Sequence, residues 1–91
     1  MAIALYFNPP AGMTASTYDD IIKRLDAAGA GSPKGRVHHS CFGPPDHLMV
    51  YDVWSSQEEF DAFGETLIPI MQEIGIDPGT PDVMPVHNLV Q

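Results

Sequence analysis

The sequence predicts an α+β domain of the ferredoxin-like class, a split βαβ sandwich in which two helices cover one face of a four-stranded antiparallel sheet. Two observations lead to this prediction. The periodic segments follow the order strand, helix, strand, strand, helix, strand, so each half of the chain has the same β-α-β pattern. The chain has 91 residues, which suits one domain spanning residues 1–91.

A change of hydrophobic period marks the first strand and the first helix. Ile3, Leu5 and Phe7 alternate with other residues, which predicts a strand over residues 2–8 that ends at two prolines. Thr14 is a suitable N-cap for the helix that follows and that extends to about residue 28. The apolar stripe of this helix has the spacing i, i+3, i+4, i+7 and consists of Tyr18, Ile21, Ile22 and Leu25.

The second helix and the last strand are each affected by a proline. Ser55 and Ser56 both precede a glutamate by three residues, so either could open the helix with a capping box. Pro69 predicts a kink or a short break within the helix. Pro85 indicates that the last strand, residues 83–90, lies at an edge of the sheet or carries a bulge.

The central hairpin, residues 36–42 and 47–54, determines which side chains lie on the uncovered face of the sheet. If the hairpin closes with residue 39 opposite residue 50, alternation groups His39, Asp52 and Trp54 on one face. We expect this face to be the uncovered one, because a histidine and an aspartate are costly beneath a dry layer of helices. A register shift of one residue would reverse the assignment.

The uncovered face is therefore expected to carry a small-molecule pocket. Its floor would be apolar, with Ala4, Val50 and Leu89, and a few polar groups would line it. The expected side chains above this floor are Tyr6, Asn8, His39, Cys41, Asp52, Trp54 and His87.

His39 and Asp52 are the candidate catalytic residues. A carboxylate beside the imidazole would hold it in one tautomer, as a general base that takes a proton from a phenol or an activated carbon acid. The alternative is a structural hydrogen bond across the sheet. Four further side chains are candidates for substrate binding, by hydrogen bonds to a carbonyl or phenol or by stacking on an aromatic ring: Tyr6, Asn8, Trp54 and His87.

Composition excludes several classes of partner. The formal net charge of −8 argues against binding to nucleic acid or to an anionic membrane surface. A single cysteine, Cys41, excludes an intramolecular disulfide and a multi-cysteine metal cluster.

The N-terminal residues do not have the pattern of a signal peptide, so a cytoplasmic location is expected. The small size favours a homodimer, and the spacing of histidines and carboxylates does not require a metal.

Residues 50–60 carry a resemblance to a known family. Their sequence, VYDVWSSQEEF, is similar to the acid-x-Trp-x-Ser-x-Glu stretch that joins a strand to a helix in the antibiotic-biosynthesis-monooxygenase-like family. The order of elements over nearly the whole chain is similar too. The resemblance implies a dimeric α/β barrel, in which two open sheet faces meet and each subunit keeps a pocket between its sheet and its helices or partner.

The resemblance also bears on the chemistry. Members of this superfamily include cofactor-free oxygenases of polycyclic phenols, haem-degrading enzymes and isomerases. The haem-degrading members use an Asn at the end of the first strand, which Asn8 matches, and a Trp and a His on the second helix. The Trp position falls near Phe63, and the second helix contains no histidine, so haem degradation is not expected.

The leading hypothesis is a small cofactor-independent enzyme acting on a hydrophobic, aromatic or polyketide-like molecule, with His39 as the base and Asp52 behind it. The alternative is a non-catalytic dimer that binds a small apolar ligand, or an assembly protein with a vestigial pocket. Ile68 and Ile70 widen the apolar surface of the second helix and are predicted to contribute to the dimer contact.

Overall fold

The computed structural model describes residues 1–90 and contains six elements in the predicted order. The elements are β1 Ile3–Phe7, α1 Ala15–Ala27, β2 Arg36–Phe42, β3 Met49–Trp54, α2 Gln57–Ile74 and β4 Asp82–Pro85. The strands form one antiparallel sheet in the order β2-β3-β1-β4. This order and the two helices confirm the predicted ferredoxin-like class, with β3 and β1 at the centre of the sheet.

Side-chain caps begin both helices. The Thr14 hydroxyl accepts a hydrogen bond from the Thr17 N–H at 3.2 Å, which confirms the predicted start of α1. Ser56 caps α2 in the same way, accepting from the Glu59 N–H at 3.2 Å. The helix ends at Gly75, whose φ of 87° lies in the left-handed region that favours glycine.

The sequence predicted a kink or a short break at Pro69, and the break is absent, because α2 is continuous helix through this residue. Pro69 has no N–H to donate to the carbonyl of Glu65, one turn earlier. Both residues are exposed, so water can hydrogen bond to that carbonyl instead. The last strand is shorter than predicted and ends at Pro85, although the Val86 N–H still donates to the Ala2 carbonyl.

Pairing with β1 shows which face of the hairpin lies under the helices. Ile3 is opposite Trp54 and Leu5 is opposite Asp52, and His39 of β2 is opposite Asp52 on the other side. Residues that are directly opposite share a face of the sheet. Asp52, Trp54 and His39 therefore lie beneath the helices together with the apolar residues of β1, and their predicted position on the uncovered face is wrong.

The error did not arise within the hairpin. Its register differs from the expected one by two residues, since His39 lies opposite Asp52 rather than Val50, and a shift of two preserves the faces. A β-bulge between Arg36 and His38 is the irregularity in this pair of strands. What was wrong was the side on which the hairpin docks against β1.

The core fills the space between the sheet and the helices. Leu5 and Trp54 have no exposed surface. The buried cluster consists of Ile3, Leu5, Met13, Ile21, Leu25, Trp54, Phe63 and Met71. In residues 1–90, no helix has the length and apolar character needed to cross a membrane.

The uncovered face of the sheet carries large apolar side chains. Tyr51 lies opposite both Tyr6 and Ser40, and Met84 lies opposite Ala4, so these residues point away from the helices. The side chains on this face that are large, apolar and exposed are Phe42 (43%), Tyr51 (38%) and Met84 (62%). The face is therefore mainly hydrophobic and has no helix of this chain against it.

Candidate active site

Asp52 is a buried carboxylate in the central strand β3, with only 4% of its surface exposed. Its Oδ1 lies 2.6 Å from Nδ1 of His39, and its Oδ2 accepts a hydrogen bond from the indole N–H of Trp54 at 3.2 Å. Both oxygens therefore have a partner, which offsets much of the cost of burying the group. This pairing explains why Asp52 and His39 can lie beneath the helices.

Trp54 supports the site from inside the core. Its ring packs edge-on against Phe60, with centroids 5.5 Å apart, and lies 5.2 Å from the ring of Phe63. The side chain has no exposed surface. In this position the indole holds the carboxylate of Asp52 rather than forming part of an accessible surface.

His39 uses both of its ring nitrogens. Nδ1 faces Asp52, and Nε2 lies 2.6 Å from the hydroxyl oxygen of Tyr18 on α1. A carboxylate can only accept, so Nδ1–H donates to Asp52; in the neutral imidazole Nε2 then accepts from the Tyr18 hydroxyl. The result is a continuous chain of hydrogen bonds from Tyr18 through His39 and Asp52 to Trp54.

The pKa of Tyr18 is raised above its usual value of 10.0. Burial of the phenol is the main cause, and the negative charges of ionised Cys41, Asp52 and Asp19 act in the same direction, whereas Arg36 opposes them. Tyr18 therefore remains a neutral phenol, able to donate a proton in a hydrogen bond, throughout the physiological pH range.

These side chains lie in the wall of a cavity of about 330 Å³ between the two helices and the sheet. Its lining is mostly apolar and comes from both helices, from the sheet and from the loops near Met13 and Pro78. Tyr18, His39, Asp52 and Asp61 are the ionisable side chains of the lining, and among the described residues neither lysine nor arginine contributes to it. The site is thus an apolar chamber with one polar wall, located under the helices and not on the uncovered face where it was predicted.

The other predicted substrate-binding residues lie elsewhere. The Tyr6 hydroxyl donates to Sδ of Met49 at 3.1 Å on the uncovered face. Asn8 pairs with His47, with Oδ1 and Nε2 2.8 Å apart. His87 is exposed and follows β4, which is at the opposite edge of the sheet from His39 on β2. The structure thus brings together His39, Asp52 and Trp54. The other three predicted residues, Tyr6, Asn8 and His87, lie outside this cluster.

Sequence reasoning missed Tyr18 as a functional candidate, because it was assigned to the apolar stripe of α1. The available signal was that Tyr18 is the one residue of that stripe with a hydroxyl group. Cys41 shares the helix-covered face with Val50, and burial followed by the charge of Asp19 raises the pKa of its thiol. Across the described part of the chain, no three His, Cys, Asp or Glu side chains are arranged to hold a metal ion.

Comparisons with known proteins show the fold. No protein-family model matches the chain, and no curated protein matches it either. Among solved structures, one from Chloroflexus aurantiacus, assigned as an antibiotic biosynthesis monooxygenase, is 19% identical, with a TM-score of 0.65 and coverage of 99% of this chain and 98% of that one. The chain shares the fold of this structure.

Two further structures share the fold of this chain. One from Deinococcus radiodurans, assigned to the same enzymes, is 9% identical, with a TM-score of 0.63 and coverage of 100% and 97% of the two chains. SnoaB from Streptomyces nogalater, described as a cofactor-independent oxygenase, is 15% identical, with a TM-score of 0.59 and coverage of 98% and 94%. The shared fold thus accounts for essentially the whole length of the chain.

Replacing the buried carboxylate should destabilise the protein. In Asp52→Ala the N–H of Trp54 and the Nδ1–H of His39 lose their acceptor, and we expect the free energy of unfolding to fall by about 1–3 kcal/mol in urea denaturation. Asp82→Ala, at an exposed position on β4, is the control and should change stability by no more than about 0.5 kcal/mol. Equal effects of the two substitutions would contradict a stabilising role for these hydrogen bonds.

The ionisation of Tyr18 should be observable by ultraviolet absorption. The difference between the titrations of the wild type and Tyr18→Phe isolates this phenol, and we expect its midpoint above 10.0. Because the folded state holds the Tyr18 proton more tightly than the unfolded state, this group's contribution to stability is complete below pH 10 and decreases as the pH rises further. Stability above pH 10 should therefore fall more steeply in the wild type than in Tyr18→Phe, and a midpoint at or below 10.0 would contradict burial of the hydroxyl.

Proposed function

We propose that this protein is a small member of the antibiotic biosynthesis monooxygenase group that binds a hydrophobic aromatic molecule between its helices and its sheet. We further propose that His39, held by Asp52, is the base that removes a proton from this molecule. The observation that carries the proposal is the 2.6 Å pair of His39 and Asp52 in the wall of a mostly apolar cavity. The shared fold with SnoaB, which is described as a cofactor-independent oxygenase, supports it.

The composition of the cavity favours a neutral substrate with a weakly acidic O–H or C–H group. Among the described residues no cationic lysine or arginine lines the cavity, while Asp52 and Asp61 do, so a bound carboxylate or phosphate would have no counter-charge there. The volume of about 330 Å³ is at the small end of the usual range of ~300–1,000 Å³ for ligand sites. A compact polycyclic phenol or anthrone satisfies both conditions.

The proposed reaction is the oxidation of such an anthrone to the corresponding quinone. His39 removes one proton from the substrate, and the resulting carbanion transfers electrons to molecular oxygen as a carbon–oxygen bond forms, giving a hydroperoxide once a proton is returned. Loss of water then breaks the O–O bond and removes the second hydrogen of the same carbon, which becomes a carbonyl. One oxygen molecule is consumed for each substrate molecule, and one water molecule is released.

A second candidate function is non-catalytic binding of a small apolar ligand. One observation favours it: both ring nitrogens of His39 already have partners, Asp52 and Tyr18, as in a purely structural histidine. In that case the cavity binds the ligand but no chemistry follows. Turnover separates the two candidates.

We also propose that the protein forms a homodimer through the uncovered face of the sheet. The exposed Phe42, Tyr51 and Met84 give this face the apolar character of an interface, and no helix of the chain covers it. Ile68, predicted from the sequence to contribute to the dimer contact, lies on α2 and lines the cavity. Its part in a dimer stays a prediction, which the variants described below test.

Oxygen uptake with 1,8-dihydroxyanthrone tests the enzymatic proposal. We expect turnover above the rate in buffer, and His39→Ala should lower it by about 10²–10⁴-fold while leaving the affinity for the anthrone within a few-fold, because the base is lost and the apolar walls remain. His38→Ala is the matched control, since His38 is adjacent in sequence and lies on the opposite face of the sheet. Equal activity of the two variants would contradict His39 as the base.

A second pair of variants tests whether the anthrone binds in the cavity. Gly64 lines it, and an added Cβ would meet only Cδ1 of Ile68, at 3.8 Å. Gly64→Ala should therefore retain binding, whereas Gly64→Leu should fill the space and abolish it without unfolding α2. Binding without turnover in the wild type would support the second candidate, and absence of saturable binding would leave only an assembly role.

Sedimentation velocity tests the dimer. We expect the sedimentation of the wild type to give a molecular mass twice the 9.9 kDa of the chain. Met84→Glu, which places a charge on the uncovered face, should shift it to the monomer, and Ile68→Glu, which places one on the exposed part of α2, should not. The reverse result would place the interface on the second helix, and a monomeric wild type would contradict the dimer altogether.

A further inference from the structure

The contact between Tyr18 and His39 leads to an inference about how a substrate reaches the base. With the hydroxyl of Tyr18 2.6 Å from Nε2 and Asp52 2.6 Å from Nδ1, neither nitrogen of His39 has a free position for a substrate proton. Both Tyr18 and His39 line the cavity. A ligand that approaches this wall can therefore hydrogen bond to the tyrosine oxygen while the existing contact remains intact, since a phenol oxygen accepts as well as donates.

We propose that Tyr18 is the residue that contacts the ionising O–H of the substrate and that it relays the proton to His39. This proposal rests on the proposed function and extends it, because it assigns the direct contact with the substrate to Tyr18 and not to the base, His39. The class of substrate that it selects is a phenol or enol, whose oxygen can donate to a phenol oxygen. An anthrone forms this hydrogen bond as its enol tautomer, whose deprotonation at oxygen gives the same delocalised anion as the carbanion of the proposed reaction; a substrate with no O–H in either tautomer cannot form it.

The proton transfer balances without any further reactant. The substrate O–H bond breaks and its proton goes to the oxygen of Tyr18, as the original Tyr18 proton goes to Nε2 of His39. The products are the substrate phenolate, an unchanged neutral tyrosine and an imidazolium whose charge faces the carboxylate of Asp52. The hydroxyl of Tyr18 now carries the former substrate proton and donates it in a hydrogen bond to the new phenolate, while Nε2–H of the imidazolium donates to the tyrosine oxygen.

The environment of the hydroxyl suits this role. Burial raises the pKa of Tyr18, so the hydroxyl is neutral before the transfer and is neutral again once it has received the substrate's proton. The position of Tyr18 is fixed from two sides, by helix α1 and by the nearly parallel ring of His39, which is inclined to it by 8° with centroids 6.0 Å apart. The side chain of His39 is 21% exposed and the side chain of Asp52 is 6% exposed, so the relay runs from the cavity wall inward.

Binding of 4-nitrophenol tests the relay, because its visible absorption distinguishes phenol from phenolate. We expect the dye bound to the wild type to be more ionised than free dye at the same pH. Tyr18→Phe should bind the dye within a few-fold of the wild-type affinity, and its ratio of bound phenolate to bound phenol should fall about tenfold, because the phenolate loses its hydrogen-bond donor and its path to the base. Tyr51→Phe, which removes a hydroxyl from the opposite face of the sheet, should match the wild type.

A near-isosteric change gives a second measurement that does not depend on the stability of the Tyr18→Phe variant. Site-specific incorporation of 3-fluorotyrosine at position 18 makes the hydroxyl a stronger donor, and the bound dye should then be more ionised than in the wild type. Wild-type ionisation in Tyr18→Phe, or no response to fluorination, would show that the dye reaches His39 directly and would overturn the relay. Failure of the dye to bind to the wild type, or binding that Gly64→Leu does not block, would instead refute the proposed cavity site.

Discussion

The buried carboxylate of Asp52 is the interaction on which the site depends. It lies in a central strand among apolar side chains, and it is tolerated there because the indole of Trp54 and the imidazole of His39 each occupy one of its oxygens. The same two bonds orient the imidazole toward α1, where it meets Tyr18. One satisfied charge thus links the strands β2 and β3 to a helix and gives the apolar cavity its polar wall.

Local signals were sufficient to predict the elements but not the face of the hairpin. The caps at Thr14 and Ser56 and the alternation of β1 act within a few residues, and the structure confirms them. The face depends on how the hairpin docks against β1. Burial of His39 and Asp52 is costly in isolation, and the hydrogen bonds that offset this cost form only in the folded chain.

The position of the cavity could not be predicted from local sequence patterns, because the lining comes from both helices, the sheet and two loops. Gly64 of α2 is one of the residues that line the cavity, and it contributes no side chain to that space. Tyr18 was hidden for a related reason. Its periodicity is that of a core residue, and its hydrogen-bond partner, His39, is 21 residues away on another element.

The β-bulge in β2 makes the pairing at the start of the strand independent of the pairing at the site. Arg36 and His38 are two positions apart, yet they lie on opposite faces, because Val37 is the extra residue between their pairs with Trp54 and Val53. Loss of that one residue in evolution would leave regular alternation and every observed pair from His39 onward unchanged. The start of β2, where the guanidinium of Arg36 donates to the carbonyl of Gly31, would therefore tolerate deletion of Val37 while the pairing of His39 with Asp52 is preserved.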